Sequence, residues 1–80
     1  MSLIERWANK EGLREPINGS WTQALQEHYG GRQSGDDLRS IAVVLEADLV
    51  RYPVVIQAIA VKLGATRPNN GSWLQAIIDI

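Results

Sequence analysis

Apolar residues recur along this chain with the turn of an α-helix, in five blocks divided by glycine, proline and asparagine. Leu3, Ile4, Trp7 and Ala8 share one face of a helix over 3–11, where Ser2 and Glu5 have capping-box spacing and Gly12 is the stop. Residues 13–19 read as a connection: Pro16 disfavours helix at Glu15, and Asn18-Gly19 is a strong turn pair. A second helix is expected from Ser20, as its cap, to Tyr29, with Trp21, Ala24, Leu25 and His28 on one face. Gly30-Gly31 ends it, and the glycine-rich residues 30–35 form a loop. Ser34 and Asp37 repeat the capping-box spacing, and Asp36 and Asp37 stand where a helix dipole favours negative charge.

The third predicted helix spans about 36–51. Leu38, Ile41, Ala42, Leu45 and Leu49 form one apolar stripe. Val43, Ala47 and Val50 form a second strip between polar groups. A helix with two strips is either central in its own bundle or paired with another molecule. Pro53 fits the first turn of a fourth helix, in which Val54–Leu63 carry only Gln57 and Lys62 as polar residues and Gly64 supplies the stop. Its β-branched content offers a strand as the alternative. The segment is long for a strand and does not alternate, so a helix is expected, and the most buried one. The fifth helix, Ser72–Ile80, places Trp73, Ala76, Ile77 and Ile80 on a face that Leu74 and Ile78 widen. The pattern predicts an all-α fold: one domain over residues 1–80, a compact array of about five short helices around two central apolar helices, the third and fourth.

A ten-residue phrase occurs twice. Residues 16–25 match residues 68–77 at a constant offset of 52, with seven positions identical. In each copy proline limits the approach, Asn-Gly turns the chain, serine caps and tryptophan covers the first turn. The helix-start motifs are therefore Asn18, Gly19, Ser20 and Trp21, and Asn70, Gly71, Ser72 and Trp73. Either both copies dock equivalently on the central helices, or the C-terminal copy completes a neighbouring subunit.

Composition narrows the function more than it defines it. The chain is 45% apolar and 21% charged, a globular balance. It has no cysteine, and His28 is its one histidine, which excludes disulfides and imidazole-cluster metal sites. A net charge of −1 gives no case for nucleic acid or an acidic membrane, although residues 1–48 carry −3 and residues 49–80 carry +2. The charged N-terminal residues do not read as a targeting signal. The longest near-apolar stretch, Pro53–Val61, is far short of the roughly twenty residues of a membrane span. A cytoplasmic location is expected.

Catalytic patterns are missing. His28 is expected to pack beside Trp21 and Leu25, with Glu27 pointing elsewhere. Glu46 and Asp48 diverge and do not form a calcium loop. Residues 30–35 lack the P-loop pattern. The third and fourth helices have the spacing of a helix-turn-helix, but the fourth offers only Gln57 and Lys62 to read bases. The expected function is a non-enzymatic protein–protein interaction or assembly module without cofactor, self-associating through the C-terminal copy. The alternative is a small DNA-associated regulator. The candidate interface is Val43, Ala47, Val50, Trp73, Leu74, Ile77 and Ile78, and the expected partner is a protein or a second copy, with no membrane.

Overall fold

Serine hydroxyls begin three of the helices. In a computed structural model, which describes residues 1–30 and 37–80, the Oγ atoms of Ser2, Ser20 and Ser72 accept the backbone N–H groups of Glu5, Gln23 and Gln75 at 3.1, 3.2 and 3.1 Å. Each such cap stabilises its helix by about 1 kcal/mol. The helices that follow are α1 (Leu3–Lys10), α2 (Trp21–Tyr29) and α5 (Trp73–Asp79). Between them lie α3 (Asp37–Val44) and α4 (Val55–Lys62). The all-α fold of five short helices is therefore as the periodicity predicts. The Ser34 cap and Asp36 lie outside the described residues, as does the side chain of Asp37.

Three helices end in one way. The N–H groups of Leu13, Ala47 and Ala65 reach back to the carbonyls of Ala8, Ala42 and Ala60 at 3.0, 2.9 and 2.9 Å. Those of Gly12, Glu46 and Gly64 reach Asn9, Val43 and Val61. This is the Schellman closure, which needs a left-handed residue just past the helix. Gly12 and Gly64 meet that need easily (φ 79° and 110°), and Glu46 meets it at φ 57°.

The closure at Glu46 corrects the third helix, which ends at Val44 and not near 51. Its apolar spacing continues past the end because Leu45, Ala47 and Leu49 still pack against the core from a non-helical segment. The chain then makes a separate turn, in which the Asp48 carboxylate accepts the Arg51 N–H at 2.9 Å and its carbonyl accepts the Tyr52 N–H at 3.0 Å. Pro53 precedes α4 and does not lie in its first turn, since Val54 is the N-cap residue. The strand alternative for 53–63 falls with the same observation.

The helices close a ring. α1 packs on α2, α2 on α3, α3 on α4, α4 on α5, and α5 returns to α1. All five feed one core, built of Trp7 and Ala8, Leu25, Ile41 and Ala42, Ile59 and Ala60, and Ile77. Complete burial of each large apolar side chain contributes roughly 1.5–3 kcal/mol. The centre is thus shared by the five helices, not held by α3 and α4 alone, although α4 buries three successive residues, Ala58–Ala60.

The repeat reaches further than the ten-residue phrase. α1 and α4 share both boundaries at the offset of 52, and α2 and α5 share their first residue at that offset. α3 and α4 share both boundaries at an offset of 18. The pairs Trp7-Ala8, Ile41-Ala42 and Ile59-Ala60 are buried at the same turn of these helices. The chain therefore uses two helix types in the order first, second, first, first, second. Each helix of the second type lies between two of the first: α2 between α1 and α3, α5 between α4 and α1.

The two Asn-Gly turns are not copies in detail. Asn70 and Gly71 both have positive φ (51° and 74°), and Asn69 and Ser72 exchange backbone hydrogen bonds at 2.9 and 3.0 Å. That is the hairpin geometry Asn-Gly favours. In the first copy only Gly19 has positive φ, and the Asn18 side chain instead accepts the Ser20 N–H at 3.0 Å.

Candidate interaction surface

The connection from α3 to α4 carries an unusual run of uncovered valines. The inward face of α3 is spent on Ile41 and Ala42, so Val43 and Val44 at its last turn point away from the core and are exposed. Val50, in the Asp48 turn, is 96% exposed, and Val54, at the N-cap of α4, is 55% exposed. Two devices hold the backbone here, the Schellman closure at Glu46 and the turn capped by Asp48. The Arg51 guanidinium lies 5.5 Å from the centre of the half-buried Tyr52 ring, which adds a cation–π contact. Valine has little rotamer freedom to lose on docking, so a rigid valine surface is cheap to cover.

Among the candidates read from sequence, Val43 and Val50 are on this exposed segment, and Ala47 is half-buried between them. The C-terminal candidates sit differently. Ile77 is fully buried in the chain's own core, and Trp73, Leu74 and Ile78 are half-buried against it. The C-terminal copy thus closes its own fold, against α1 and α4. Val44 and Val54 were missed. Val44 falls on neither apolar strip of its helix, and Val54 reads as part of the buried fourth helix. Val44 is the most covered of the four, because its γ-methyl groups lie over Gly30, where an added Cβ would strike them.

His28 is exposed, not packed beside Leu25. Helix α2 is turned so that Leu25 and Gln26 are buried and Tyr29 half-buried, which carries His28 outward. Its Nε2 lies 3.5 Å from Glu11 Oε2, and its ring meets Tyr29 edge-on at 4.9 Å. Lys10 Nζ approaches the other Glu11 oxygen at 3.8 Å. Tyr29 in turn stands 5.9 Å from the Trp7 ring. Burial pushes the Tyr29 hydroxyl up to about 12; the Trp7 indole N–H opposes the rise, and the negative Glu11 adds to it. The Trp7 Nε1 itself is buried without a partner in hydrogen-bond geometry.

This polar group does not adjoin either of two open cavities, of about 310 and 300 Å³. The cavities occupy equivalent places in the two repeats, between the proline-led connection and the next helix. Pro16, Ile17, Ala24 and Glu27 line one, and Pro68, Asn69, Ala76 and Asp79 the other. Glu27 accepts from Gln23 Nε2 at 3.5 Å, and Asp79 from Gln75 Nε2 at 3.0 Å and from Asn69. Among the described residues no three His, Asp or Glu side chains could hold a metal ion, and no helix is long and apolar enough to cross a membrane. On α4, Ala58–Ala60 are buried and Gln57 is half-buried, which leaves Lys62 as its exposed polar side chain. Compared with known protein families, curated proteins and solved structures, the chain matches none.

Proposed function

We propose that this chain is a non-enzymatic protein-contact module whose contact face is the connection between α3 and α4. One observation carries the reading: Val43, Val44, Val50 and Val54 are exposed on a single short segment whose backbone is tied down. Scattered exposed apolar residues are ordinary, but a run of them on a rigid segment marks a surface meant to be covered. The contact face lies here and not on the C-terminal copy, because α5 spends Ile77 on its own core.

Site-specific photo-crosslinking in cells tests this. A benzophenone side chain at Val50 is expected to give a discrete adduct. The same group at the exposed Arg14, on the connection between α1 and α2, is expected to give none. Adding Val43→Asp to the Val50 probe should abolish the adduct without loss of helical signal. Equal labelling from positions 50 and 14 would defeat the proposal.

A further inference from the structure

We propose that Asn70 is a site of spontaneous backbone modification, at which the Gly71 nitrogen closes on the Asn70 side-chain amide, and that the fold holds the same dipeptide back at Asn18-Gly19.

Asn-Gly is the pair in which this closure is least hindered, because glycine has no side chain beside the attacking nitrogen. That nitrogen gives up its proton and bonds to the asparagine Cγ. The amide Nδ2 takes up the proton and leaves as ammonia, and a five-membered imide remains. Water then opens the ring. Cleavage between the nitrogen and Cγ gives aspartate. Cleavage between the nitrogen and the main-chain carbonyl carbon gives isoaspartate, in which the chain runs through the side chain and is one methylene longer. One ammonia is lost and one water gained, with no oxidation or reduction.

The two copies differ at each reacting group. Asn18 Oδ1 accepts the Ser20 N–H at 3.0 Å, and Asn18 Nδ2 donates to Gln23 Oε1. The Gly19 N–H donates to the Pro16 carbonyl at 3.0 Å. Attacked amide and attacking nitrogen are both engaged there. Among the described residues neither the Asn70 side chain nor the Gly71 N–H has a hydrogen-bond partner, and both residues are exposed. Backbone geometry favours Asn70 again. In the imide the glycine nitrogen eclipses Cβ, which sets the asparagine ψ at about −120°, as at the first central residue of a type II′ turn with its positive φ. Asn70 already has φ 51°. It reaches that turn from its present one when the peptide joining it to Gly71 flips, and glycine accepts φ of either sign. Asn18 lacks a positive φ and has further to turn.

The two products differ in what they do to α5. Asn69 and Ser72 exchange backbone hydrogen bonds across Asn70-Gly71, and Ser72 caps the helix. Isoaspartate lengthens the two-residue loop between them, which pulls this pair out of register and loosens the helix start. Aspartate keeps the backbone and places its charge ahead of α5, where the dipole favours it.

Peptide mapping by mass spectrometry tests the proposal, on the full chain kept folded in mildly alkaline buffer and on the same chain in urea. In the folded chain, exchange of ammonia for water is expected at position 70 at least about tenfold faster than at position 18, whose three hydrogen bonds must open first. In urea the two rates should converge. Gln23→Ala frees Asn18 Nδ2 and should quicken position 18 about threefold, with position 70 unchanged. Equal rates in the folded chain, or the faster rate at position 18, overturn the proposal. So does a ratio equally large in urea, because the fold then contributes nothing, and so does a position 18 unmoved by Gln23→Ala. The isoaspartate form, isolated by chromatography, is expected to unfold at a lower urea midpoint than Asn70→Asp. Equal midpoints overturn the effect on α5.

Discussion

Glu46 holds a left-handed backbone, φ 57°, at the position where the matching helix ends use Gly12 and Gly64. A residue with a Cβ pays about 1–2 kcal/mol to stand there. Replacing it by glycine removes that strain but frees the unfolded chain, which costs roughly 0.4–1 kcal/mol. The balance favours the folded state: Glu46→Gly is expected to raise stability by about 0.5–1 kcal/mol, measured as a higher urea midpoint with an unchanged slope. A lower midpoint would mean that the glutamate side chain holds the closure in some other way. The same position explains where residue-level reading stopped. Gly12 and Gly64 announce a helix end in the sequence, whereas a glutamate carries no such mark. The Ile41, Leu45, Leu49 spacing therefore reads straight through it, and a helix is expected to 51 where the chain has already turned. His28 fails for a different reason. Its spacing from Trp21 and Leu25 is helical, but a rotation of α2 by about one residue decides which neighbour is buried, and Gln26 and Tyr29 take the inner places.

At the scale of the element, the three serine-capped helix starts were legible, and the start of α4 and the helix-to-helix relations were not. Ser2, Ser20 and Ser72 cap as their spacing indicates. The kinship of α3 with α4 was also present in the chain, as Ile41-Ala42-Val43 against Ile59-Ala60-Val61, yet it is easily passed over. In α1 the same place holds Trp7, which disguises the series. That tryptophan brings the contact between α1 and α2 a property its relatives lack. Its ring borders Tyr29, whose hydroxyl is pushed up to about 12 by burial. An unfolded tyrosine ionises near 10. The folded chain therefore keeps a proton that the unfolded chain loses between those values, and the stability associated with neutral Tyr29 is complete below about pH 10 and is lost as pH rises toward 12. Phenolate absorbance in a Tyr52→Phe background should accordingly rise late, with its midpoint near 12, and Tyr29→Phe should flatten the fall in stability above pH 10. Ionisation of Tyr29 near pH 10 while the helices remain intact would show that the contact does not shield it.

For the whole molecule the open matter was what each apolar face meets. Periodicity says which side of a helix turns inward and is silent on its neighbour, so an array with a central pair and a closed ring look alike in sequence. The ring gives α1 two duties. It supports α2, the next helix along the chain, and it also takes beside α5 the place that α3 takes beside α2. α5 is consequently a structural closure: it contributes the fully buried Ile77 and the buried Ala76, and it covers the side of α1 that carries Trp7 toward the core. A domain of eighty residues has about 4–12 kcal/mol of net stability. Loss of one buried isoleucine to alanine alone costs roughly 2–5 kcal/mol, and removing the helix also uncovers its neighbours on α1 and α4. Ending the chain at Arg67 should therefore abolish cooperative folding, with helical circular dichroism falling by far more than the share of the missing helix and the near-ultraviolet signal of the remaining tryptophans disappearing. A shortened chain that still melts cooperatively would mean that α5 is a detachable arm; its apolar face would then be free to serve a neighbouring copy, and the contact face would have to be sought there instead of at Val50.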